Sequence, residues 1–155
     1  MGTDPAAAAV ATAPPAVGDR TRLDVVVCGA HMSGLPLNWQ LTERGGTLKA
    51  ASTTAPRYTL HALAGLPPAR PGLVRNATDG AAIDVEVWTL PAEAFGGFVD
   101  GIPSPLGIGK VELDTGEWVN GFLCEPAGLD GARDITALGG WRVHLAQNRE
   151  STDPA

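Results

Sequence analysis

One histidine of this sequence stands in a loop whose residue types suit chemistry on a small anion. The run VCGAHMSG at residues 27–34 ends an apolar stretch in glycine and leads toward a predicted helix. Unpaired backbone N–H groups at such a strand-to-helix junction can bind a carboxylate or an oxyanion. An imidazole at the same place can donate a proton near neutral pH. The alternative is that His31 only hydrogen-bonds to the loop backbone, and the residue pattern alone leaves both open.

Signatures of other chemistries are missing from the sequence. It contains no Walker loop and no Gly-x-Ser-x-Gly elbow, and Gly107-Ile108-Gly109 is only a fragment of a dinucleotide fingerprint. His31, His61 and His144 lack the spacing of metal ligands. We therefore expect neither a metal nor another cofactor.

The elements that position the loop are predicted from hydrophobic periodicity. Residues 23–28 form a β-branched run stopped by glycine, which indicates a buried strand. Proline near the start and glycine past the end indicate a helix at 34–44. Further predicted elements are extended segments at 47–54, 58–63 and 82–90, a helix from Pro91 to about Asp100, a hairpin of 108–113 with 117–125, and a C-terminal helix capped by Asp134. Strands outnumber helices and occur in hairpins, so the pattern favours an α+β fold with a curved or closed sheet.

Length and composition indicate one domain between two loose ends. The chain has 155 residues, which is a one-domain length. Residues 1–22 are rich in alanine and proline with nothing large to bury, so we expect a disordered tail there. The domain is predicted at 23–147 and a flexible tail at 148–155. Cys28 and Cys124 each end an apolar run, which favours two buried thiols over a disulfide.

The charge and hydropathy of the chain bear on its partners and location. With 11 Lys and Arg, a net charge of −6 and no basic run, it lacks the cations that bind phosphates of nucleic acid. No stretch approaches the ~20 apolar residues that span a bilayer. The N-terminus lacks the basic and apolar regions of a signal peptide. We therefore expect a cytoplasmic protein without nucleic-acid or membrane partners.

Seven segments, in a fixed order, carry a family resemblance. They are CGAHMSGLPLNWQLTERGG, TTAPRYTLHAL, PGLVR, IDVEVWTLPAEAFGGFV, IPSPLGIGKVEL, GFLCE and DITALGGWR. Together they cover about residues 24–145 and resemble the C-terminal domain of allophanate hydrolases. That domain is similar in fold to γ-glutamyl cyclotransferases. The resemblance thus implies a γ-glutamyl cyclotransferase-like small mixed β-barrel with flanking short helices.

The resemblance also implies which reaction to expect. In the cyclotransferases the first strand ends in a loop that binds the substrate carboxylate, and Cys28-Gly29-Ala30 takes that place here. Their catalytic glutamate has no counterpart in the DGIPSP run at 100–105, so cyclotransferase chemistry is not expected. Allophanate hydrolases join this domain to an amidase that leaves N-carboxycarbamate, which the C-terminal domain of some members converts to carbon dioxide and ammonia. No amidase signature is present, and Met1 and the loose termini favour a stand-alone relative.

Such a reaction requires amide donors, one or two cations and a proton source, and we expect particular residues to supply them. His31 is the expected catalytic proton donor. The expected substrate-binding residues supply backbone donors, cations or orienting carboxylates, and they are Gly29, Ala30, Met32, Asn38, Arg75, Glu86, Lys110, Glu125 and Arg142.

Three functions remain open from the sequence. The first is an enzyme that decarboxylates or hydrolyses N-carboxycarbamate, or a related carboxylated urea or carbamate, in urea catabolism. The second is a non-catalytic module that forms a homodimer or other homo-oligomer, or joins an amidase. The third is a γ-glutamyl cyclotransferase-like tailoring enzyme of a biosynthetic pathway. The partners implied are a small anionic substrate, an amidase and a second copy of the chain.

Overall fold

The computed structural model describes residues 21–65 and 67–152. Strands predominate in this part of the chain, and three helices lie between or after them. In chain order the elements are β1 (Arg22–Val27), α1 (Trp39–Thr42), β2 (Thr47–Thr53), β3 (Tyr58–Ala62), β4 (Pro71–Arg75), β5 (Asp84–Pro91), α2 (Ala92–Asp100), β6 (Leu106–Glu112), β7 (Trp118–Cys124), β8 (Arg133–Asp134) and α3 (Trp141–Thr152). Short 3-10 turns at Pro126–Leu129 and Thr136–Leu138 flank β8.

The larger sheet has five strands in the order β2-β5-β1-β7-β6. Strand β1 is antiparallel to β5 and parallel to β7, where Val26 pairs with Gly121. A Cβ atom on Gly121 would lie 2.9 Å from Cβ of Val26 and 2.7 Å from a methyl carbon of Val111. Glycine is therefore required for the strands to approach this closely.

The second sheet has three strands in the order β4-β3-β8, all antiparallel. The expected mixture of strands with few helices is thus confirmed. The expected barrel is not, because hydrogen bonding within the described residues gives two separate sheets and no closed barrel.

The core lies on both faces of the central strands. Val25, Val26 and Val27 of β1 are fully buried, as expected for a strand between two others. Strand β5 has buried residues on both of its faces, with Val87 on one face and Trp88 on the other. Both cysteines are free and buried in the structure.

Two helix predictions differ from the structure. The helix expected at 34–44 is reduced to the four residues of α1, because successive turns occupy the preceding loop and Gly34 has a positive φ of 76°. Asp134 belongs to β8 and accepts the N–H of Thr136 at 2.9 Å, so it caps a 3-10 turn while α3 begins only at Trp141.

The described elements run slightly past both predicted domain bounds, 23 and 147. Arg22, expected in the tail, already pairs in β1 with Pro91. Helix α3 continues to Thr152, beyond the expected end of the domain at 147. Residues 1–20 and 153–155 of the expected tails lie outside the described residues. None of the described helices is long and apolar enough to cross a membrane.

Candidate functional site

A narrow pocket lies where β1 ends and the loop of His31 begins. Its wall is formed by residues of the loop, of the segment before β4 and of strands β6 and β7: Gly29, Ala30, His31, Arg70, Leu106 and Phe122. Its cavity volume of about 20 Å³ suffices for a water molecule. A wider chamber of about 340 Å³ shares Arg70 and Leu106 with it. The two together form the candidate site.

Gly29 brings the two walls of the pocket together. A Cβ atom at Gly29 would lie only 2.3 Å from Cδ of Pro71, the first residue of β4. The missing side chain therefore lets β4 pack directly against the loop. This contact places Arg70, which precedes Pro71, beside the loop that carries His31.

His31 is held in the pocket by aromatic rings and one hydrogen bond. Its imidazole is 7% exposed, stacks on Phe122 at 4.8 Å between ring centroids and meets the edge of Phe98 at 5.5 Å. Nε2 lies 2.8 Å from Oε1 of Gln40. With that oxygen as acceptor, Nε2 carries hydrogen and Nδ1 is the nitrogen that can gain or release a second proton.

The protonation state of His31 is set by its surroundings. Burial lowers the pKa of His31 below the ordinary 6.5, the hydrogen bond with Gln40 opposes this, and the positive charge of Arg70 lowers the pKa further. The imidazole is therefore mostly neutral at pH 7. A bound anion acts in the opposite direction and favours the imidazolium ion.

The loop amides divide into those already bonded and those left free. The N–H of Met32 donates to the carbonyl of Gly29 at 3.0 Å, so it is used within a turn. Asn38 donates its side-chain amide to the carbonyl of His31 at 2.8 Å and supports the loop. Over residues 21–65 and 67–152, the N–H groups of Ala30 and His31 donate to no other group of the chain. The N–H of Gly29 has no acceptor over these ranges either, and Gly29, Ala30 and His31 all line the pocket.

Glu86 and Arg142 fix the loop from the side away from the pocket. One carboxylate oxygen of Glu86 accepts the backbone N–H of Ser33 at 2.8 Å, the hydroxyl of Ser33 at 3.1 Å and the indole N–H of Trp88 at 3.0 Å. Arg142 donates to the other oxygen at 3.1 Å and to the carbonyl of Ser33 at 2.8 Å. Both charges are therefore engaged in holding Ser33.

The pKa of Glu86 reflects these contacts. Burial alone would raise it, but the hydrogen bonds from Trp88, Ser33 and Arg142 outweigh burial and lower the pKa below the ordinary 4.5. Glu86 is therefore ionised at neutral pH.

The remaining expected binding residues lie elsewhere on the domain. Arg75 pairs with Glu112 at 2.9 Å, and its guanidinium lies 4.8 Å from the ring of Trp118. Lys110 donates to Asn120 at 2.6 Å on an exposed part of the large sheet. Glu125 is exposed. The structure brings none of Arg75, Lys110 and Glu125 to the pocket of His31.

Arg70 is the cation of the pocket, and sequence reasoning missed it. It lies in the proline- and glycine-rich segment at 65–72, which leads from β3 to β4 and shows no pattern typical of a site. The sequence feature that could have indicated Arg70 is its position immediately before the PGLVR segment, which forms β4. Among the described residues, no group of three His, Cys, Asp or Glu side chains is placed to hold a metal ion.

The fold and the site define a class of protein: an α+β domain of two sheets whose first loop builds a narrow pocket from a buried histidine, free amides and an arginine. The sequence profile of the allophanate hydrolase C-terminal domain matches residues 23–146. The chain therefore belongs to the allophanate hydrolase C-terminal domain family, as the sequence resemblance predicted.

Individual relatives agree with this assignment. Urea amidolyase of Saccharomyces cerevisiae is 43% identical over 129 residues, which are 81% of this chain and 7% of that protein. The structure of Kluyveromyces lactis allophanate hydrolase matches with 41% identity and a TM-score of 0.79, over 81% of this chain and 21% of that one. A uropathogenic Escherichia coli-specific protein, c4763, matches with 34% identity and a TM-score of 0.76, over 81% of this chain and 97% of that one.

The lengths of these relatives differ from that of the present chain. It spans only a small part of the urea amidolyase and about a fifth of the allophanate hydrolase. A more distant structure, an AIG2-like protein of Mus musculus, shares the fold at 17% identity and a TM-score of 0.53, over 70% of this chain and 82% of that one. At that identity the likeness concerns the fold alone.

Proposed function

We propose that this domain acts in urea and allophanate catabolism and releases carbon dioxide from N-carboxycarbamate or a closely related carboxylated urea or carbamate. The observation that carries the proposal is a buried imidazole, His31, in a pocket whose wall also holds Arg70 and free loop amides. The relatives of the chain support the substrate class, since they include a urea amidolyase and an allophanate hydrolase.

The proposed reaction needs one proton delivered to one nitrogen. N-carboxycarbamate is a dianion with a carboxylate on each side of an N–H group. Addition of a proton to this nitrogen allows one C–N bond to break, and the bonding electrons stay on nitrogen. The products are carbon dioxide and carbamate, which gains a second proton and separates into ammonia and carbon dioxide.

His31 is the proposed source of the first proton. Burial and Arg70 favour the neutral imidazole, but a dianion beside it raises the pKa of His31, so that binding takes up a proton. His31 then gives this proton to the substrate nitrogen and returns to the neutral state that burial favours. The hydrogen bond with Gln40 holds the ring in one orientation during the transfer.

The shape of the site supports a ligand that enters from the chamber. The pocket beside His31 has room for a water-sized group only, whereas the chamber beyond Arg70 has a volume of about 340 Å³. A small dianion therefore lies mainly in the chamber and directs one end at the loop. The same chamber leaves room for a somewhat larger carbamate.

The test is a coupled assay of carbon dioxide release. An amidase that converts allophanate but lacks its own C-terminal domain supplies N-carboxycarbamate, and release is followed by stopped flow faster than spontaneous decay. We expect the wild-type chain to accelerate release and His31→Ala to lose roughly 100-fold or more of this acceleration, the usual contribution of a general acid. His31→Gln serves as a second variant because it preserves more of the buried volume.

His61→Gln is the matched control of this assay. His61 bonds to Thr59 on β3 and lies outside the wall of the pocket, so its variant should keep full activity. Acceleration that survives in both His31 variants would refute the role of His31. A wild-type chain that does not differ from buffer would refute the decarboxylation itself and leave the assembly or tailoring functions.

We further propose that the chain works downstream of an amidase. In Kluyveromyces lactis allophanate hydrolase the matching region is about a fifth of a longer chain. N-carboxycarbamate decays spontaneously, so a catalyst of its breakdown is useful only where the compound is formed. Co-migration of the chain with such an amidase in gel filtration tests whether the two associate or share only the intermediate.

A further inference from the structure

Arg70 carries a buried donor with no partner in the protein. Among the described residues, its Nε is the buried side-chain nitrogen or oxygen that forms no hydrogen bond. An unpaired N–H group of a guanidinium in a buried place is costly, and such groups are rare in folded proteins. Arg70 also lines both the narrow pocket and the chamber. An unbonded donor at the junction of two cavities indicates a ligand that completes it.

The backbone of Arg70 is fixed on both sides. Its carbonyl accepts the N–H of Leu63 at 3.0 Å. The next residue, Pro71, packs against Gly29 so closely that no side chain fits between them. One main-chain hydrogen bond and the packing of the Pro71 ring on Gly29 thus hold the backbone of Arg70 beside the loop of His31. The position from which its side chain extends is therefore fixed.

The charge of Arg70 is not balanced inside the pocket. The wall of the pocket contains no carboxylate. Cys28 does not supply a negative charge either, because burial and the neighbouring Cys124 raise the pKa of its thiol to about 12. Asp130 belongs to the wall of the chamber only. A guanidinium in such a place binds carboxylates well, since its planar fork donates two hydrogen bonds at once.

We propose that Arg70 binds one carboxylate of a small dicarboxylate ligand at the junction of pocket and chamber, while the amides of Ala30 and His31 receive the other. This inference rests on the proposed function and adds a residue that determines specificity. It predicts that the site takes dianions in preference to neutral ureas or amides. It also explains how two like charges are held on either side of a nitrogen that His31 protonates.

Malonate is the probe for this inference. It has the shape and both charges of N-carboxycarbamate, with CH₂ in place of NH, and it is stable. We expect calorimetric titration to show malonate binding to the wild type, and binding weakened roughly tenfold or more in Arg70→Gln. Arg70→Lys keeps the charge without the fork and should lie between the two. Malonamide, the neutral counterpart, should bind the wild type at least roughly tenfold more weakly than malonate.

Arg133→Gln is the matched control for the loss of one positive charge. Arg133 is exposed on β8 and lines neither cavity. Its variant should bind malonate as the wild type does. The inference is overturned if Arg70→Gln binds malonate as tightly as Arg133→Gln, if malonamide binds as tightly as malonate, or if the wild type does not bind malonate.

The coupled assay separates this inference from the proposed function. Arg70→Gln should raise KM for the intermediate more than it lowers kcat, because Arg70 holds the substrate and His31 supplies the proton. If the chain binds malonate through Arg70 but releases no carbon dioxide, the dicarboxylate site is supported and the decarboxylation is refuted. If the Arg70→Gln variant is active with an unchanged KM, the decarboxylation is supported and the role of Arg70 is refuted.

Discussion

Single residues of this domain divide into those that line the candidate site and those that hold its loop in place. His31, Arg70 and the amide of Ala30 belong to the first group. Glu86 belongs to the second, since the hydrogen bonds of its carboxylate go to Ser33, Trp88 and Arg142. A carboxylate on a strand of the large sheet thus orders the loop without touching the pocket. We therefore expect any effect of Glu86 on activity to be indirect.

Glu86→Gln tests this holding role. The side chain of Glu86 is only 12% exposed, and the substitution removes its charge while keeping its size. Because hydrogen bonds to a charged group are stronger than neutral ones, we expect the free energy of unfolding to fall by about 1–2 kcal/mol. Urea denaturation measures this change. Glu43→Gln, at an exposed glutamate, is the control and should leave stability unaltered.

The same variant should show a defined dependence on pH. The pKa of Glu86 is lower in the folded protein than its ordinary value of 4.5. The stabilisation it gives is therefore complete above pH 4.5 and is lost as the pH falls through the folded pKa. The difference in unfolding free energy between wild type and Glu86→Gln should shrink below pH 4.5. A constant difference would argue against ionisation of Glu86 as the cause.

At the scale of elements, the site depends on how closely β4 approaches the end of β1. Gly29 and Pro71 are in contact across this gap. The two strands belong to different sheets, so their contact also joins the sheets at the pocket. Displacement of β4 would move Arg70 and leave His31 where it is.

Gly29→Ala tests the importance of this contact. The new methyl group would overlap the ring of Pro71, so β4 has to shift. We expect a loss of about 1–3 kcal/mol of unfolding free energy, as for other overpacked sites, together with weaker malonate binding. Thermal denaturation and titration measure the two effects.

Gly107→Ala is the control for the added methyl group. A Cβ atom at this glycine of β6 would meet no atom within 4 Å. The variant should be as stable as the wild type or slightly more stable, because alanine restricts the unfolded chain. Equal free energies of unfolding for Gly29→Ala and Gly107→Ala would contradict this expectation, because β4 would then shift without loss of stability.

At the scale of the whole molecule, buried titrating groups define the range of pH over which the domain is most stable. Burial lowers the pKa of His31 and of His144 below 6.5. Burial, with Cys124 nearby, raises the pKa of Cys28 from 9.0 to about 12. Each shift favours the neutral form of its group in the folded state.

The free energy of unfolding should accordingly reach a plateau between about pH 7 and pH 9. Below pH 6.5 the unfolded histidines bind protons that the folded ones do not, so stability falls. Above pH 9.0 the unfolded thiol ionises while Cys28 in the folded protein does not, so stability falls again. Urea unfolding from pH 5 to pH 10 measures the profile. His31→Gln should reduce the fall on the acid side; unchanged stability from pH 8 to pH 5 would contradict the assignment.

The sequence by itself determined several of the elements and the family. Strand β1, the hairpin of β6 and β7, and helix α2 follow from local patterns of apolar residues, proline and glycine. These patterns act over a few residues, so they are readable without the fold. The sequence also singled out the loop of His31, because a strand that ends in glycine before a histidine is a local feature too.

Only the tertiary structure decided which charges meet in the pocket. Arg75, at the end of β4, turns to Glu112 and Trp118, whereas Arg70, just before β4, reaches the loop. Both lie within a few residues of one another, and neither residue type nor spacing separates them. The separation arises from the packing of Pro71 on Gly29 and from the pairing of distant strands, which no local pattern of residues contains.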